Sequence, residues 1–230
     1  MSTSSQSVDL NALDELWQAR HEGIRLVTLE RQLDAALRKS PKFDVLWRGA
    51  RLAHFQGLMA KDDKTALAHF DLGRSLAQRA VEDNHHEVEG HYWWGINLLE
   101  ASRRSGFLHG PGQLRSAQTH IERAMNQDET YYFAGPVRAI ARITHIKPLI
   151  LGGSIDRALD MHGRALQIAP HNSTGLLHYA ETLMADQQKA LARQILHQII
   201  NAPADPEWIA EQALDRQTAQ TRIAELDASH

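Results

Sequence analysis

The chain contains no cysteine, which excludes disulfides, thiol catalysis and cysteine-ligated zinc. Seven prolines and fourteen glycines in 230 residues are too few for a linker-rich protein. No apolar run approaches the roughly 20 residues that a membrane-spanning helix needs, so no transmembrane segment is expected. The opening "MSTSSQSVDL" has neither the basic nor the apolar region of an export signal. As written the chain reads as cytoplasmic, and as periplasmic if it is an engineered mature form. Dense basic runs are missing too. With 25 Lys and Arg against 28 Asp and Glu, the net charge is −3, and single arginines are scattered among acids. No nucleic-acid partner is expected from that pattern.

The chemistry-bearing motifs of enzymes are equally scarce. There is no Gly-rich phosphate loop, no nucleophile elbow and no His-Glu-x-x-His, so neither catalysis nor a cofactor is expected. The densest cluster is "HHEVEGH", with His85, His86, Glu87 and His91. Adjacent histidines cannot share one helical face, and metal ligands must converge on one centre. An ordinary polar turn is the simpler reading; the competing one is a metal-dependent hydrolase. No metal site is expected.

What the sequence does have is helical periodicity and a repeat. Apolar residues recur at three- and four-residue steps nearly everywhere, and no segment alternates as a strand would. Four segments end alike: "LDAALRKSP", "LAQRAVEDN", "IERAMNQDE" and "HGRALQIAP", with "ARQILHQIINAP" a looser copy. Anchored on Ala36, Ala80, Ala124, Ala165 and Ile199, they are spaced by 44, 44, 41 and 34 residues. A period of about 34 is that of the tetratricopeptide helix–turn–helix, and longer spacings are that unit with insertions.

The prediction is therefore an all-α, tetratricopeptide-like α-solenoid of about five helix pairs plus a C-terminal capping helix, "EWIAEQALDRQTAQTRIAEL". Residues 1–8 read as a flexible segment and 9–230 as one helical-repeat domain. Ala180 and Ala192 fall where helices must approach closely. Ser154 reads as an N-cap. "GFLHGPG" and "KPLILGG" are insertions within turns, the second with exposed-looking Leu149, Ile150 and Leu151.

The stretch "YYFAGPVRAIARI", residues 131–143, is the most distinctive. Pro136 suits a helix's first turn. Arg138, Arg142 and His145 then share one face at i, i+4 and i+7, either solvated or directed at an anionic group. Starting repeat units at Asp44, Val88, Tyr132 and Ser173 gives a mostly apolar inner face. It includes Tyr92 and Ile96 in one unit, Phe133, Ile140 and Ile143 in the next, and Glu181 and Met184 in the last. A clamp for a peptide carboxylate would need lysines and asparagines there. Trp93 and Trp94 read mainly as packing, with Trp93 the member that could also face a ligand. The candidate ligand-binding set is Tyr92, Trp93, Ile96, Phe133, Arg138, Ile140, Arg142 and Ile143.

The segments "HYWWGINLLEASRRSG", "HIERAMNQDETYYFAGPVRAIARI", "GGSIDRALDMHGRALQIAP" and "LLHYAETLMA" together resemble the T-component of tripartite ATP-independent periplasmic (TRAP) transporters. They are more distantly similar to the repeat domain of the regulators of microtubule dynamics. The resemblance covers roughly residues 40–200. It implies a helical bundle whose inner face holds an apolar or amphipathic small ligand. It also implies a protein partner, such as a solute-binding protein. Members are typically exported lipoproteins, and no lipidatable cysteine is present here. The alternative function is a scaffold that binds a partner's amphipathic helix or extended peptide.

Overall fold

A computed structural model describes residues 8–39, 41–105 and 111–228. Eleven α-helices and no strand occur among the described residues, an all-α fold in which helices adjacent in sequence pack on one another within each compact unit, as in a solenoid. The chain divides into two compact units, residues 1–106 and 107–230. Residues 1–7 of the N-terminal segment and residues 106–110 of the "GFLHGPG" insertion lie outside the described residues.

The first unit contains α1 (Leu10–Gln18), α2 (Gly23–Lys39), α3 (Phe43–Met59), α4 (Asp63–Asp83) and α5 (Val88–Arg104). Asp9 caps α1 by accepting from the Ala12 amide, and Asp62 caps α4 by accepting from that of Thr65, so each relieves an orphan donor of the first turn. Each helix packs on the next, and α3 also touches α5. That skip contact puts the first helices of successive pairs in one layer. Close approach of α3 and α4 requires Gly57, where a Cβ would lie 2.4 Å from the Phe70 ring.

The second unit contains α6 (Pro111–Gln127), α7 (Tyr131–Ile146), α8 (Ile155–Ile168), α9 (Ser173–Ala185), α10 (Lys189–Asn201) and α11 (Ile209–Ala228). Successive helices again pack in order, and α7, α9 and α11 form the layer of skip contacts. Leu176, Leu177, Ala180, Leu196, Ile199, Ala219 and Leu226 make one core across α9, α10 and α11. Each buried Leu or Ile contributes about 1.5–3 kcal/mol. All five repeat anchors are buried, one on each of α2, α4, α6, α8 and α10. The helix starts predicted at 44, 88, 132 and 173 fall within one residue of those observed. Ser154 caps α8 and Asn172 caps α9.

The capping helix docks in an unexpected way. Its buried residues include Glu211, Gln212 and Asp215 beside Ala219 and Leu226. The Gln212 side chain donates to the Pro203 carbonyl at 2.8 Å and accepts from the Asp205 amide at 3.0 Å. Hydrogen bonds therefore seat the first half of α11, where an apolar stripe would be the usual means.

Candidate functional site

The start of α7 is not right-handed. Tyr132, Phe133 and Ala134 have φ of 49°, 59° and 55° with ψ of 54°, 53° and 33°, one turn of left-handed backbone built from residues with side chains. Each such residue costs about 1–2 kcal/mol, and such strain persists only where surroundings over-determine it. Gly135 and Pro136 follow, so Pro136 enters the first turn of the right-handed portion, where its missing N–H costs no helical bond.

Arg138 holds this turn from within. Its Nε donates to the Phe133 carbonyl at 2.9 Å and its NH2 to that of Tyr132 at 3.0 Å. The rings of Tyr132 and Phe133 meet Trp208 edge-on, with centroids 5.2 and 5.0 Å away. The Arg138 guanidinium lies 5.5 Å from the same indole centre, within cation–π range. Trp208 in turn donates Nε1–H to the Thr174 hydroxyl at 3.2 Å. Ser173 and Thr174 donate to Asp215 at 2.6 and 2.7 Å. Burial pushes the Asp215 carboxyl up; those hydroxyls, the Arg138 charge and Trp208 act against it.

One turn further along α7 the same layer opens into a cleft of about 280 Å³, lined by Arg142, His145, Ile146, Glu181, Met184, Arg222 and Glu225. Glu181 is its centre. Arg142 NH1 reaches Glu181 Oε2 at 2.8 Å, and Arg222 donates Nε and NH2 to Oε1 at 2.8 and 2.7 Å. Arg222 NH1 also reaches Glu225 at 2.9 Å. Burial opposes the charge of Arg222, yet its bonds to Glu181 and Glu225 raise its pKa. Two cations and two anions thus line a cleft whose Met184 and Ile146 supply apolar surface.

Beneath the cleft the His145 Nδ1 is 2.9 Å from the Thr182 hydroxyl. Burial lowers its pKa; the Arg142 charge adds to this and Glu181 opposes it. His162 of α8 is 0% exposed, and neither ring nitrogen has a hydrogen-bond partner among the described residues. Burial, joined by the charges of Arg142, His145 and Arg138, lowers its pKa to about 3. His162 is a neutral core histidine.

The predicted residues are distributed as follows. Arg142 lines the cleft, Arg138 is buried on the left-handed turn, and Phe133 is half-buried against Trp208. Ile140 and Ile143 are buried. In the first unit Tyr92 and Trp93 are buried, their rings 4.9 Å apart, and Ile96 is half-buried. The inner-face count placed Glu181 and Met184 where the cleft has them. Counting from Tyr132 as though α7 were right-handed throughout shifts the phase of every later residue on it. This is why Arg142, His145 and Ile146 line the cleft while Ile140 and Ile143 do not. Trp208, Asp215 and Arg222 carried no motif; the polar face of α11 was their one signal. His85 and His86 stack at 3.9 Å, and among the described residues no three metal-ligating side chains are placed to hold an ion.

A family model described as "TAtT: TRAP transporter T-component" matches residues 24–230. No curated protein matches the chain.

Proposed function

Because the chain belongs to the TRAP transporter T-component family, we propose that it holds an amphipathic small ligand on the α7–α9–α11 face of its second unit, as a non-enzymatic component of such a system. Membership gives it an auxiliary role in TRAP transport; the ligand and the tetratricopeptide-like use of this face are our reading. No helix among the described residues is long and apolar enough to cross a membrane.

The observation that carries the reading is the pairing of Arg222 with Glu225 at the mouth of the cleft. Glu225 is 49% exposed at its side chain and ends on a cation already anchored by Glu181. A carboxylate or phosphate head replaces it there with an equivalent charge-assisted bond, and an apolar tail covers Met184 and Ile146. Arg142 holds the other oxygen of Glu181, while Arg138 and Phe133 define where the helix begins.

The test uses anilinonaphthalene sulfonate, an apolar ring system with an anionic head. Arg222→Gln is expected to weaken its binding tenfold or more, since one charge-assisted bond is worth about 1.5–3 kcal/mol, and to lower the melting temperature without unfolding, because Arg142 still pairs with Glu181. Unchanged binding in a folded variant removes the site.

A second reading, the protein scaffold, is favoured by the turn that follows α7. Leu149, Ile150 and Leu151 are 82%, 93% and 52% exposed, on a 3-10 turn closed by Gly152 at φ 87°. Gly153 is packed so tightly that a Cβ would lie 1.9 Å from the Lys147 carbonyl oxygen. A rigid apolar knob suits a solute-binding protein as partner. Replacing the three residues by serine abolishes partner capture in that reading and leaves dye binding unchanged.

A further inference from the structure

The first unit carries a different charged site, where α1 meets α3. Arg48 and Arg51, one turn apart on α3, are only 8% and 9% exposed. Their guanidinium groups stack on indole rings. Arg48 lies 4.1 Å from the Trp47 centre, and Arg51 lies 4.2 Å from Trp17 and 4.9 Å from Trp47. Buried cations need an anion close by, and one carboxylate serves both. Asp14 Oδ2 accepts from Arg48 NH2 at 2.6 Å, while Oδ1 accepts from Arg48 Nε and from Arg51 NH2, each at 3.0 Å. Burial works against the Asp14 charge, yet the bonds and charges of the two arginines hold its carboxyl below the usual range.

Three observations set this contact apart from ordinary packing. The helix that supplies Asp14 and Trp17 is nine residues long and lies outside the segment matched by the family model, residues 24–230. The Asp14 side chain is 40% exposed, while those of Arg48 and Arg51 behind it are 10% and 11% exposed. Asp44 shares Arg48 with Asp14: its carbonyl and its Oδ1 accept from Arg48 NH1 at 2.9 and 3.3 Å, with 57% of its side chain exposed. Glu89 has its carboxyl pushed up by burial and by Glu87 and Asp44, against the pull of Arg48. Trp47 Nε1 and Glu89 Oε2 are buried with no hydrogen-bond partner among the described residues, so polar capacity is left over beside the arginines.

We propose that Arg48 and Arg51, with the Trp47 ring, form a binding site for a carboxylate attached to a planar aromatic group, and that α1 is its built-in occupant. Asp14 stands where the ligand's carboxylate binds, and Trp17, edge-on to Phe55 with centroids 5.8 Å apart, stands where its ring binds. A ligand that takes both places releases α1, which stays attached through residues 19–22. Because the occupant is tethered, it competes at a high effective concentration, and the apparent affinity for ligand is reduced by the fraction of time that α1 is docked. The site is independent of the cleft in the second unit.

Indole-3-acetate carries both groups in one molecule, and indole-3-acetamide is its uncharged counterpart. Titration calorimetry on the full chain is expected to show at least tenfold tighter binding of the acetate to Asp14→Ala than to wild type. The amide gains nothing from the substitution. The gain persists when Asp14→Ala is combined with Arg222→Gln, which removes any acetate held in the second unit's cleft. Should Asp14→Ala not fold, Asp14→Asn replaces it in the same comparison. In wild type, saturating acetate speeds hydrogen exchange of the amides of residues 10–18. Equal affinity in wild type and variant, equal binding of acid and amide, disappearance of the gain in the Arg222→Gln background, or unchanged exchange at saturation each overturn the proposal.

Discussion

The guanidinium of Arg138 closes back on the carbonyls of Tyr132 and Phe133, at 3.0 and 2.9 Å, across backbone that turns the wrong way for an α-helix. Five and six residues apart in sequence, these groups meet only because the left-handed turn brings its carbonyls round to the helix that follows. Of the two arginines that sequence reasoning offered as anion receptors, Arg138 is engaged by its own main chain. Its neighbour one turn on, Arg142, is the one at the cleft.

Arg138→Met is accordingly expected to destabilise the protein by about 2–4 kcal/mol, because two charge-assisted bonds are lost while the strained turn remains. Arg138→Lys restores little, since an ammonium cannot reproduce the planar fork. Chemical denaturation measures both. Wild-type stability in Arg138→Met would mean that Trp208 packing alone keeps the turn.

Ala124 on α6 and Ala158 on α8 are 0% exposed. Ala124→Leu and Ala158→Leu should each cost about 1–3 kcal/mol by overpacking a close helix contact. Melting curves matching wild type would remove these alanines from the crossings.

His162 makes stability fall in acid. Its folded pKa of about 3 lies below the ordinary value near 6.5, so the unfolded chain takes up the proton first. The stabilising difference is complete above about pH 6.5 and shrinks as pH drops through 3, by about 5 kcal/mol in total. His145 shifts in the same direction. His162→Leu is expected to flatten much of this slope, and to be neutral or stabilising at pH 7, because two unpartnered buried nitrogens disappear. Denaturant melts from pH 7 to 4 decide it; an unchanged slope would assign the acid sensitivity elsewhere.

Ile140 is 6% exposed. Ile140→Glu buries a charge with no partner provided, at a cost of several kcal/mol. Dye binding and melting temperature are read on the one variant. A lowered melting temperature with dye still bound fits a residue of the core. Binding lost with the fold intact would make Ile140 a contact of the ligand.

The helix pairs were legible because they rest on local and periodic information. Ala36, Ala80, Ala124 and Ala165 recur with the period of the repeat, and a helix crossing needs a small residue wherever it occurs. Ser154 and Asn172 cap their helices through bonds that span only three residues. Glu181 and Met184 could be placed on the inner face because α9 is a regular helix from its first residue. Three consecutive left-handed residues in "YYFAGP" could not be read, since Tyr132, Phe133 and Ala134 each disfavour that conformation. Bonds from Arg138, contact with Trp208, some 75 residues downstream, and packing of Ala134 against Ala165 select it. Asp14 with Arg48 and Arg51, Glu181 with Arg142 and Arg222, and Asp215 with Ser173 and Thr174 are likewise pairings across more than 30 residues. Any acid could meet any arginine in such a chain, and the stacking of the helices decides which ones do.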